Sequence, residues 1–336
     1  MSAAGEGERW LEGTRGPWRD LPDYILGITH EIWESRQVAR IHAYYSRDCL
    51  LYTLGGLIRG ADTVVRNTRE TLEAFPDRLL LGDAVVWSRE GPGRFYSSHR
   101  ISSPMTHLGP GSLGPPTGRR VHVTTIADCL VEDGLITTEW LVRDNYGLVR
   151  QLGLDPLALA RRTVTQPVDP EHARWLATEI ARVRAAGAAA ADATAWAAPR
   201  AAEFARDVLL NAWTGRSAAA FERHYQPYAV RHHSRPVNSG RAQIAAAAEQ
   251  AATVFADVAL TVDHVCLRPD DDSHQVAARW CLAARHAGDV WGVPPTGRDF
   301  LILGVTHWKL VAGRIAAEWS IFDRMAVLAQ LLRAPA

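Results

Sequence analysis

A small set of acidic and imidazole side chains in the first half of the 336-residue chain is suited to proton transfer. Asp144 follows a strand-like run, and His99, His122 and Asp128 lie in the two runs before it. Carboxylates and imidazoles are common general acids and bases, and a carboxylate on an apolar wall has its pKa raised toward the useful range. The alternative is that Asp144 ends its strand and caps the helix expected at 146–152.

The pairing of the last two strands of this region decides whether these side chains meet. A three-residue loop with Gly134 in the left-handed conformation predicts that Val131 pairs with Leu135. Counting back, His122 then lies opposite Asp144 on the inner face of the sheet, within reach of a hydrogen bond. A two-residue turn would reverse the parity and overturn this arrangement.

Alternation along the last strand sorts the other candidates. Trp140 shares a face with Asp144, and Asp128 lies further along the same wall, while Glu139 points to the other face. We therefore expect Glu139 and its counterpart Glu318 to be surface or interface residues.

The strand-like run at 95–107 carries His99 and Arg100 on opposite faces. If the odd-numbered face is inward, His99 could share a proton with Asp144. If the even-numbered face is inward, Arg100 and the neighbouring serines would bind an oxyanion or a carboxylate. The aromatic residues expected to wall the pocket are Tyr52, Trp87 and Trp140.

Histidines near carboxylates also raise the question of a metal. His99, His107 and His122, with Asp128, lack the HxH, HxxxH or HExxH spacing that places two ligands on one face. The four cysteines are far apart and have no CxxC spacing, which favours reduced core thiols. We therefore expect no metal.

The elements that position these residues occur twice. Residues 115–119, with the sequence PPTGR, recur as 294–298, an offset of 294 − 115 = 179, and upstream the offset becomes 180. In each copy helices come first and four longer strand-like runs follow, which is the order of an α+β fold. The repeat predicts a domain at 18–153, an alanine-rich, partly helical linker at 154–198, and a second domain at 199–333.

The second copy carries different candidates. They are Asp323 on the last strand, His307 at the position of Asp128, and His232 where the first copy has Tyr52. The two pockets are therefore not equivalent, which suits one working site and one scaffold, or two different tasks.

Composition limits the classes of partner. The chain has 37 basic and 37 acidic residues and a pI near 7.2, so it lacks the basic surface expected of a nucleic-acid binder. It has no apolar run long enough to span a bilayer and no leader pattern, so we expect no membrane partner and a cytoplasmic location.

The repeated pattern of a PPTGR turn, a strand, a hairpin, IxxEWxxxD and a closing QL resembles the SnoaL-like polyketide cyclase branch of the nuclear transport factor 2-like (NTF2-like) superfamily. The resemblance covers most of both copies and is strongest for 115–153 and 294–332. It implies two tandem cone-shaped α+β barrels, each with a buried pocket open at one end. The sheets of such folds pair in dimers, so two fused copies imply an intramolecular pseudo-dimer, and further pairing into a homodimer stays open.

The resemblance also implies chemistry. The family's catalysts use a carboxylate of the last strand without cofactor or metal, and the matching positions here are Asp144 and Asp323. The superfamily's activities include ring closure, isomerisation, dehydration and epoxide opening, and the fold alone does not choose among them.

The leading hypothesis is a cofactor-independent acid/base enzyme, a lyase or cyclase of the aldol, retro-aldol or elimination type. Its substrate would be a hydrophobic carbonyl or hydroxy small molecule, aromatic compounds included. Asp144 would move the proton, and His122 or His99 would share or orient it. The alternatives are a hydrolase or dehydratase that uses the same carboxylate, and a non-catalytic small-molecule binding protein.

Overall fold

The computed structural model describes residues 16–187, 196–215, 217–232, 237–270 and 273–333. The chain divides after Leu154 into two compact units, called here the first and the second domain. Part of the alanine-rich stretch predicted in the linker, residues 188–195, lies outside the described residues.

The first domain begins with helices that pack on a later sheet. Helix α1 is capped by Asp20, whose side chain accepts a hydrogen bond of 2.8 Å from the backbone N–H of Asp23, and Pro22 lies in the first turn of the helix. The elements in chain order are α1 (Leu21–Thr29), a π-helical turn (His30–Glu34), a 3-10 turn (Val38–Arg40), α2 (Ile41–Tyr44), β1 (Tyr45–Thr53), β2 (Gly56–Arg59), α3 (Ala61–Ala74), β3 (Leu81–Gly91), β4 (Arg94–Thr106), β5 (Arg120–Glu132), β6 (Leu135–Arg143) and α4 (Asn145–Gln151).

The six strands of the first domain form one mixed sheet in the order β2-β1-β6-β5-β4-β3. β1 runs parallel to β6, and the other neighbouring strands are antiparallel. Helices packed on a sheet of consecutive hairpins make an α+β domain, so the predicted fold class is confirmed.

The second domain repeats this architecture after two additional helices. Its elements are α5 (Pro156–Thr163), α6 (Pro170–Ala186), a 3-10 turn (Ala198–Arg200), α7 (Ala201–Thr214), α8 (Ala218–His224), β7 (Tyr225–His232), β8 (Asn238–Ser239), α9 (Arg241–Val254), β9 (Phe255–Asp270), β10 (Ser273–His286), β11 (Asp299–Val311), β12 (Arg314–Phe322) and α10 (Arg324–Leu332). The sheet order is β8-β7-β12-β11-β10-β9, equivalent to that of the first domain. Two tandem copies of one fold are also what the predicted pseudo-dimer requires.

The helices before the second repeat belong to the second domain. Helix α5 packs on α10, and α6 packs on β9, β10 and β11. In the described part of the chain, none of the helices is both long and apolar enough to cross a membrane.

The hairpin between β5 and β6 differs from the predicted one. Asp133 and Gly134 form a two-residue turn with φ angles of 48° and 78°, and Glu132, rather than Val131, pairs with Leu135. Turns with two positive φ angles match the right-handed twist of the strands, and an Asp-Gly pair favours them.

A bulge at Thr137 then shifts the register of β6 by one more residue. Beyond it, the backbone N–H of Asp144 donates a hydrogen bond of 3.2 Å to the carbonyl of Thr124. The predicted pairing of His122 with Asp144 is therefore wrong, because the turn and the bulge together move the register by two residues. Residues 312–313 form the same turn in the second domain, with φ angles of 48° and 73°.

Several residues repeated between the copies hold the fold together. The backbone N–H of Thr117 donates to Nδ1 of His107 at 3.3 Å, and Thr296 makes the same bond to His286 at 3.2 Å. The PPTGR sequence is thus a loop fastened to the end of the preceding strand.

The repeated glutamine has a similar structural task. Oε1 and Nε2 of Gln151 bond the backbone N–H and carbonyl of His122 at 3.0 and 2.9 Å, and Gln330 bonds Leu301 in the same way at 2.9 and 3.0 Å. In each domain the C-terminal helix is clamped to the edge of a strand.

Helices cover one face of the first sheet. Residues of α1, α2 and α3 form one core cluster with strand residues on this face, namely Leu51, Val85, Phe95, Cys129 and Val131. We call it the helix-covered face, and the other side of the sheet the opposite face. Because side chains alternate along a strand, the helix-covered face carries the odd-numbered residues of β4 and β5.

Candidate active site

One cross-strand row on the helix-covered face of the first domain contains a carboxylate. Its directly paired members, from β1 to β3, are Leu51, Glu139, Cys129, Ser97 and Trp87. The expectation that Glu139 points away from the pocket is wrong, because the core helices pack on the face that carries it. Trp87 lies in this row, and its predicted part in substrate binding stays a prediction.

Glu139 lies in an environment that favours its neutral form. Glu139 is only 4% exposed, and its Oε2 accepts a hydrogen bond of 2.8 Å from the hydroxyl of Tyr45. Burial raises the pKa of Glu139, although the bond from Tyr45 and the positive charge of Arg143 act in the other direction. Burial also raises the pKa of Tyr45 well above its usual value, so this phenol remains a donor. Among the described residues, Oε1 of Glu139 has no hydrogen-bond partner.

The equivalent carboxylate of the second domain is engaged at both oxygens. The hydroxyl of Tyr225 donates to Oε2 of Glu318 at 2.5 Å, and Nε1 of Trp308 donates to the same atom at 3.3 Å. Nε of Arg231 lies 2.9 Å from Oε1 of Glu318. The tyrosine–glutamate bond is therefore common to both domains, but in the described part of the chain only the second domain has the buried ion pair.

Two replacements between the copies explain this difference. Arg231 pairs with Glu318 across β7 and β12, and at the equivalent place the first domain has Leu51 opposite Glu139. Cys129 likewise stands on β5 where the second domain has Trp308 on β11. Within the described residues, Glu139 consequently has no cation at ion-pair distance.

Three more polar groups on the helix-covered face of the first domain are buried without a hydrogen-bond partner among the described residues. They are Oγ of Ser97, Nε2 of His99 and Oγ1 of Thr125. Burial lowers the pKa of His99 to about 4, so the imidazole is neutral at pH 7. The odd-numbered residues of β4 thus face the helices. Of the two alternatives that the sequence left open for this strand, His99 rather than Arg100 is therefore on the inward face.

The second domain has apolar residues or glycine at these three positions: Val276, Ala278 and Gly304. Its helix-covered face is instead filled by aromatic rings. The Trp213 ring centroid lies 5.9 Å from that of Trp280 and 5.4 Å from that of Phe322, and Trp280 is fully buried. The polar groups of the first domain therefore have no equivalent in the second.

The aspartates predicted from the family motif cap helices. Oδ1 of Asp144 accepts a hydrogen bond of 2.9 Å from the backbone N–H of Gly147, at the start of α4. Oδ1 of Asp323 accepts bonds of 2.9 and 3.2 Å from the backbone of Met325 and Ala326. This geometry is the capping alternative, and a catalytic role for either aspartate stays a prediction.

Most of the remaining predicted residues of the first domain do not lie on the helix-covered face that carries Glu139. His122 is exposed on β5. Asp128 pairs with Trp140 on the opposite face, where the ring of Tyr52 stacks on Trp140 with centroids 5.6 Å apart. The predicted placement of Asp128, Tyr52 and Trp140 on the inner face is wrong, because the helices pack on the face that carries the odd-numbered residues of β1 and β5 and, beyond its bulge, of β6. Arg100 is also on the opposite face, with Nε 3.6 Å from a carboxylate oxygen of Asp83.

The histidines predicted in the second domain follow the same rule. His307 lies opposite Trp319, and the ring of His232 stacks on Trp319 with centroids 4.9 Å apart. Both lie on the face that does not carry Glu318.

A buried histidine–aspartate pair in the second domain was not found from the sequence. Nε2 of His224 lies 2.6 Å from Oδ2 of Asp207, and Nδ2 of Asn211 donates to Oδ1 of Asp207 at 3.1 Å. The ring of Phe204 lies edge-on to His224, with centroids 5.1 Å apart. The repeat gave no signal for this pair, because the first copy has Tyr44 at the position of His224.

One group in the second domain has the residue types of a metal site. Its members, Glu179, Asp263 and Cys281, lie close together on α6, β9 and β10. The guanidinium of Arg182 binds both carboxylates, at 2.7 Å from Glu179 and 3.0 Å from Asp263, so both already take part in ion pairs.

Comparison with known proteins places the chain in a family. The profile of the SnoaL-like polyketide cyclase family matches residues 24–152 and 203–331, once in each domain. The two matches together cover more than half of the chain, and the protein belongs to this family. Among curated proteins, none matches.

Solved structures with related folds each align to about two fifths of this chain. TsrD from Streptomyces laurentii is 21% identical, covers 40% of this chain and 97% of its own, and has a TM-score of 0.35. Wild-type IdmH from Streptomyces antibioticus is 22% identical over 40% of this chain and 98% of its own, with a TM-score of 0.34. An NTF2-like superfamily protein from Salmonella enterica is 14% identical over 37% and 89%, with a TM-score of 0.32.

Proposed function

We propose that the protein is a cofactor-independent acid/base enzyme whose working site is the helix-covered face of the first domain. The observation that carries this proposal is the difference between two equivalent carboxylates. Glu139 keeps one oxygen without a partner in the described structure and has a raised pKa, whereas Glu318 is bound by Arg231 and Trp308.

In this proposal Glu139, rather than Asp144, transfers the proton. The ionised carboxylate takes a proton from a carbon next to a carbonyl group, and the electron pair of that C–H bond moves into an enolate. The protonated carboxyl then returns the proton to carbon or to a leaving oxygen. The hydroxyl of Tyr45 fixes Oε2 throughout, which leaves Oε1 to face the substrate.

The neighbouring polar groups suit a carbonyl or hydroxy compound. Ser97 is two strands from Glu139 in the same row, and its hydroxyl can donate to a substrate oxygen. His99 is neutral at pH 7 because its pKa is about 4, so it can donate or accept a hydrogen bond without carrying charge. Trp87 supplies an aromatic wall, which supports a hydrophobic substrate.

Aldol, retro-aldol and elimination reactions all need such a proton shuttle and an oxyanion donor. A hydrolase or dehydratase would use the same carboxylate to activate or expel water. The tyrosine–glutamate bond common to both domains favours one further candidate, a binding protein in which Glu139 is structural. We also propose a cytoplasmic site of action, which is supported by four cysteines that are all buried free thiols.

Exchange of carbon-bound hydrogen tests the acid/base proposal without knowledge of the natural substrate. A panel of slowly enolising aromatic and alicyclic ketones is incubated with the protein in D₂O, and deuterium uptake next to the carbonyl is followed by mass spectrometry. We expect uptake with the wild-type protein and a loss of at least 100-fold with Glu139→Gln.

Two matched variants complete this experiment. Glu318→Gln changes the equivalent carboxylate of the second domain, and we expect the folded variant to retain exchange activity. Asp144→Asn keeps a residue that caps helices well, so it tests the catalytic assignment of Asp144 without removing the cap. If Asp144→Asn lost exchange and Glu139→Gln kept full activity, Asp144 would be the residue that transfers the proton. Exchange by none of the proteins, with ketone binding retained, would favour the binding protein.

A further inference from the structure

An arginine in the first domain is buried without a partner of opposite charge among the residues that the structure describes. Arg78 follows α3 and is 2% exposed. Its Nε donates a hydrogen bond of 2.9 Å to Oγ of Ser103 on the helix-covered face of β4. Its guanidinium lies over the ring of Trp33, 4.8 Å from the centroid. The charged group is therefore held between the π-helical turn that carries Trp33 and the sheet.

Among the described residues, Arg78 has no carboxylate within ion-pair distance. The charge that affects it most is a second cation, Arg143, and burial together with this charge lowers the pKa of Arg78 well below its usual value. A buried charge without compensation is costly, and binding a ligand of opposite charge is one way to offset the cost.

The backbone around Arg78 is fixed in this position. Arg36, which has a positive φ of 56°, donates hydrogen bonds of 2.9 Å to the carbonyl of Arg78 and 2.7 Å to the carbonyl of Pro76. The segment that carries Arg78 is thus tied to the chain that follows the π-helical turn.

The second domain has apolar side chains at all three polar positions of this cluster. The positions of Arg78, Ser103 and Arg143 are occupied there by Val258, Leu282 and Phe322. The cationic cluster therefore occurs only in the domain where Glu139 lacks an ion-pair partner.

We propose that the first domain binds a ligand with a carboxylate group, which pairs with the guanidinium of Arg78 beside the Trp33 ring. The planar guanidinium presents two parallel donors to a carboxylate, and Arg143 adds positive charge nearby. The inference rests on the proposed function only in assigning the ligand to the helix-covered face of the first domain.

Calorimetric titration with a charged and a neutral probe of the same shape tests this proposal. The probes are 2-naphthoate and 2-naphthamide, and the proteins are the wild type, Arg78→Met and Arg94→Met. Arg94 is an exposed arginine of β4 paired with Glu132, so its variant controls for the loss of one positive charge. We expect the wild type and Arg94→Met to bind the carboxylate at least tenfold tighter than the amide, and Arg78→Met to show no preference.

A thermal melt separates recognition from a structural role. Removal of an uncompensated buried charge should raise the Tm of the ligand-free Arg78→Met protein, whereas a merely structural arginine would lower it when lost. A wild-type protein without preference for the carboxylate would overturn the proposal, and so would an unchanged preference in Arg78→Met. If that variant does not fold, Arg78→Gln replaces it, and the wild-type comparison decides alone if neither folds.

The two proposals can fail separately. Calorimetry measures binding and requires no turnover, so a carboxylate preference that depends on Arg78 would stand even if Glu139→Gln left deuterium exchange unchanged. Exchange that depends on Glu139, without a carboxylate preference, would support the enzyme and reject the anion site.

Discussion

The hydroxyl of Tyr45 donates a hydrogen bond of 2.8 Å to Glu139, and it does so on the face of the sheet that the helices cover. The second domain keeps this bond between Tyr225 and Glu318. The bond itself is therefore part of the shared fold. The feature that distinguishes the first domain is the second carboxylate oxygen of Glu139, which lacks the partners that Glu318 has.

The raised pKa of Glu139 predicts how stability depends on pH. Between the unfolded pKa near 4.5 and the higher folded value, the folded state binds more protons, so this group makes stability fall as pH rises through that window. Glu139→Gln cannot ionise, and we expect its free energy of unfolding relative to wild type to increase over the same interval. Urea denaturation at pH values from 4 upward measures this difference. A constant difference across the range would show that the carboxyl is not perturbed.

His99 predicts a change of the opposite sign. Its pKa is lowered from 6.5 to about 4, so the unfolded state binds more protons between these values, and stability is lost as pH falls from about 6.5 toward 4. A shift of this size corresponds to about 3 kcal/mol at most. We expect His99→Leu to flatten the acid side of the stability profile. His122→Leu, at an exposed position of the same sheet, is the matched control and should leave the profile unchanged.

The ion pair between Arg231 and Glu318 predicts a stability effect confined to the second domain. Its side chains are 9% and 2% exposed, and removal of one partner from a buried pair typically costs about 3–5 kcal/mol. We therefore expect Arg231→Leu to lower the free energy of unfolding strongly in chemical denaturation. The double variant Arg231→Leu/Glu318→Gln should recover part of the loss, since it leaves no unpaired charge. Equal stability of the single variant and wild type would contradict the assigned pair.

The aromatic cluster of the second domain predicts that this domain acts as a scaffold and does not carry the working site. Trp280 is fully buried beside Trp213 and Phe322, and deletion of such a ring costs about 3–5 kcal/mol. We expect Trp280→Ala to lower the Tm while ketone exchange at permissive temperature is kept. A loss of exchange in the folded variant would place a working site in the second domain.

The fold could be predicted from the sequence because its signals occur twice. The residues identical in both copies are those that fasten loops and helices, such as Thr117 to His107 and Gln151 to its strand. Asp144 belongs to the same class, because its carboxylate caps a helix as Asp323 does. The repeated motif therefore predicted the architecture well, and it did not distinguish Glu139 from Glu318.

The candidate site could not be predicted in the same way, because it depends on the inward face of the strands and on their register, which the repeated residues do not determine. Both faces of β5 contain apolar residues, so alternation alone could not select the inward face. The Asp133-Gly134 pair is a strong signal for a two-residue turn and could have corrected the hairpin, but the bulge at Thr137 has no comparable signal. Arg78 lies outside the strands, and its burial depends on contacts with Trp33 and Ser103 that are distant in sequence.

Exchange of one residue between the domains is the most direct test of the asymmetry. Leu51 lies opposite Glu139 at the place that Arg231 has opposite Glu318, so Leu51→Arg introduces a cation at the position that carries one in the second domain. An arginine there should pair with the free oxygen of Glu139, lower its pKa and remove it from proton transfer. We expect ketone exchange to fall at least 100-fold while the far-ultraviolet circular dichroism spectrum stays that of the wild type.

Leu51→Met is the control, because it keeps an apolar side chain of similar volume and should retain exchange activity. In Leu51→Arg, the further change Glu139→Gln should have little additional effect on exchange, since the same group is already silenced. A fully active Leu51→Arg protein that is correctly folded would show that a free Glu139 is not needed, and the proton would then have to be moved by another residue of the first domain.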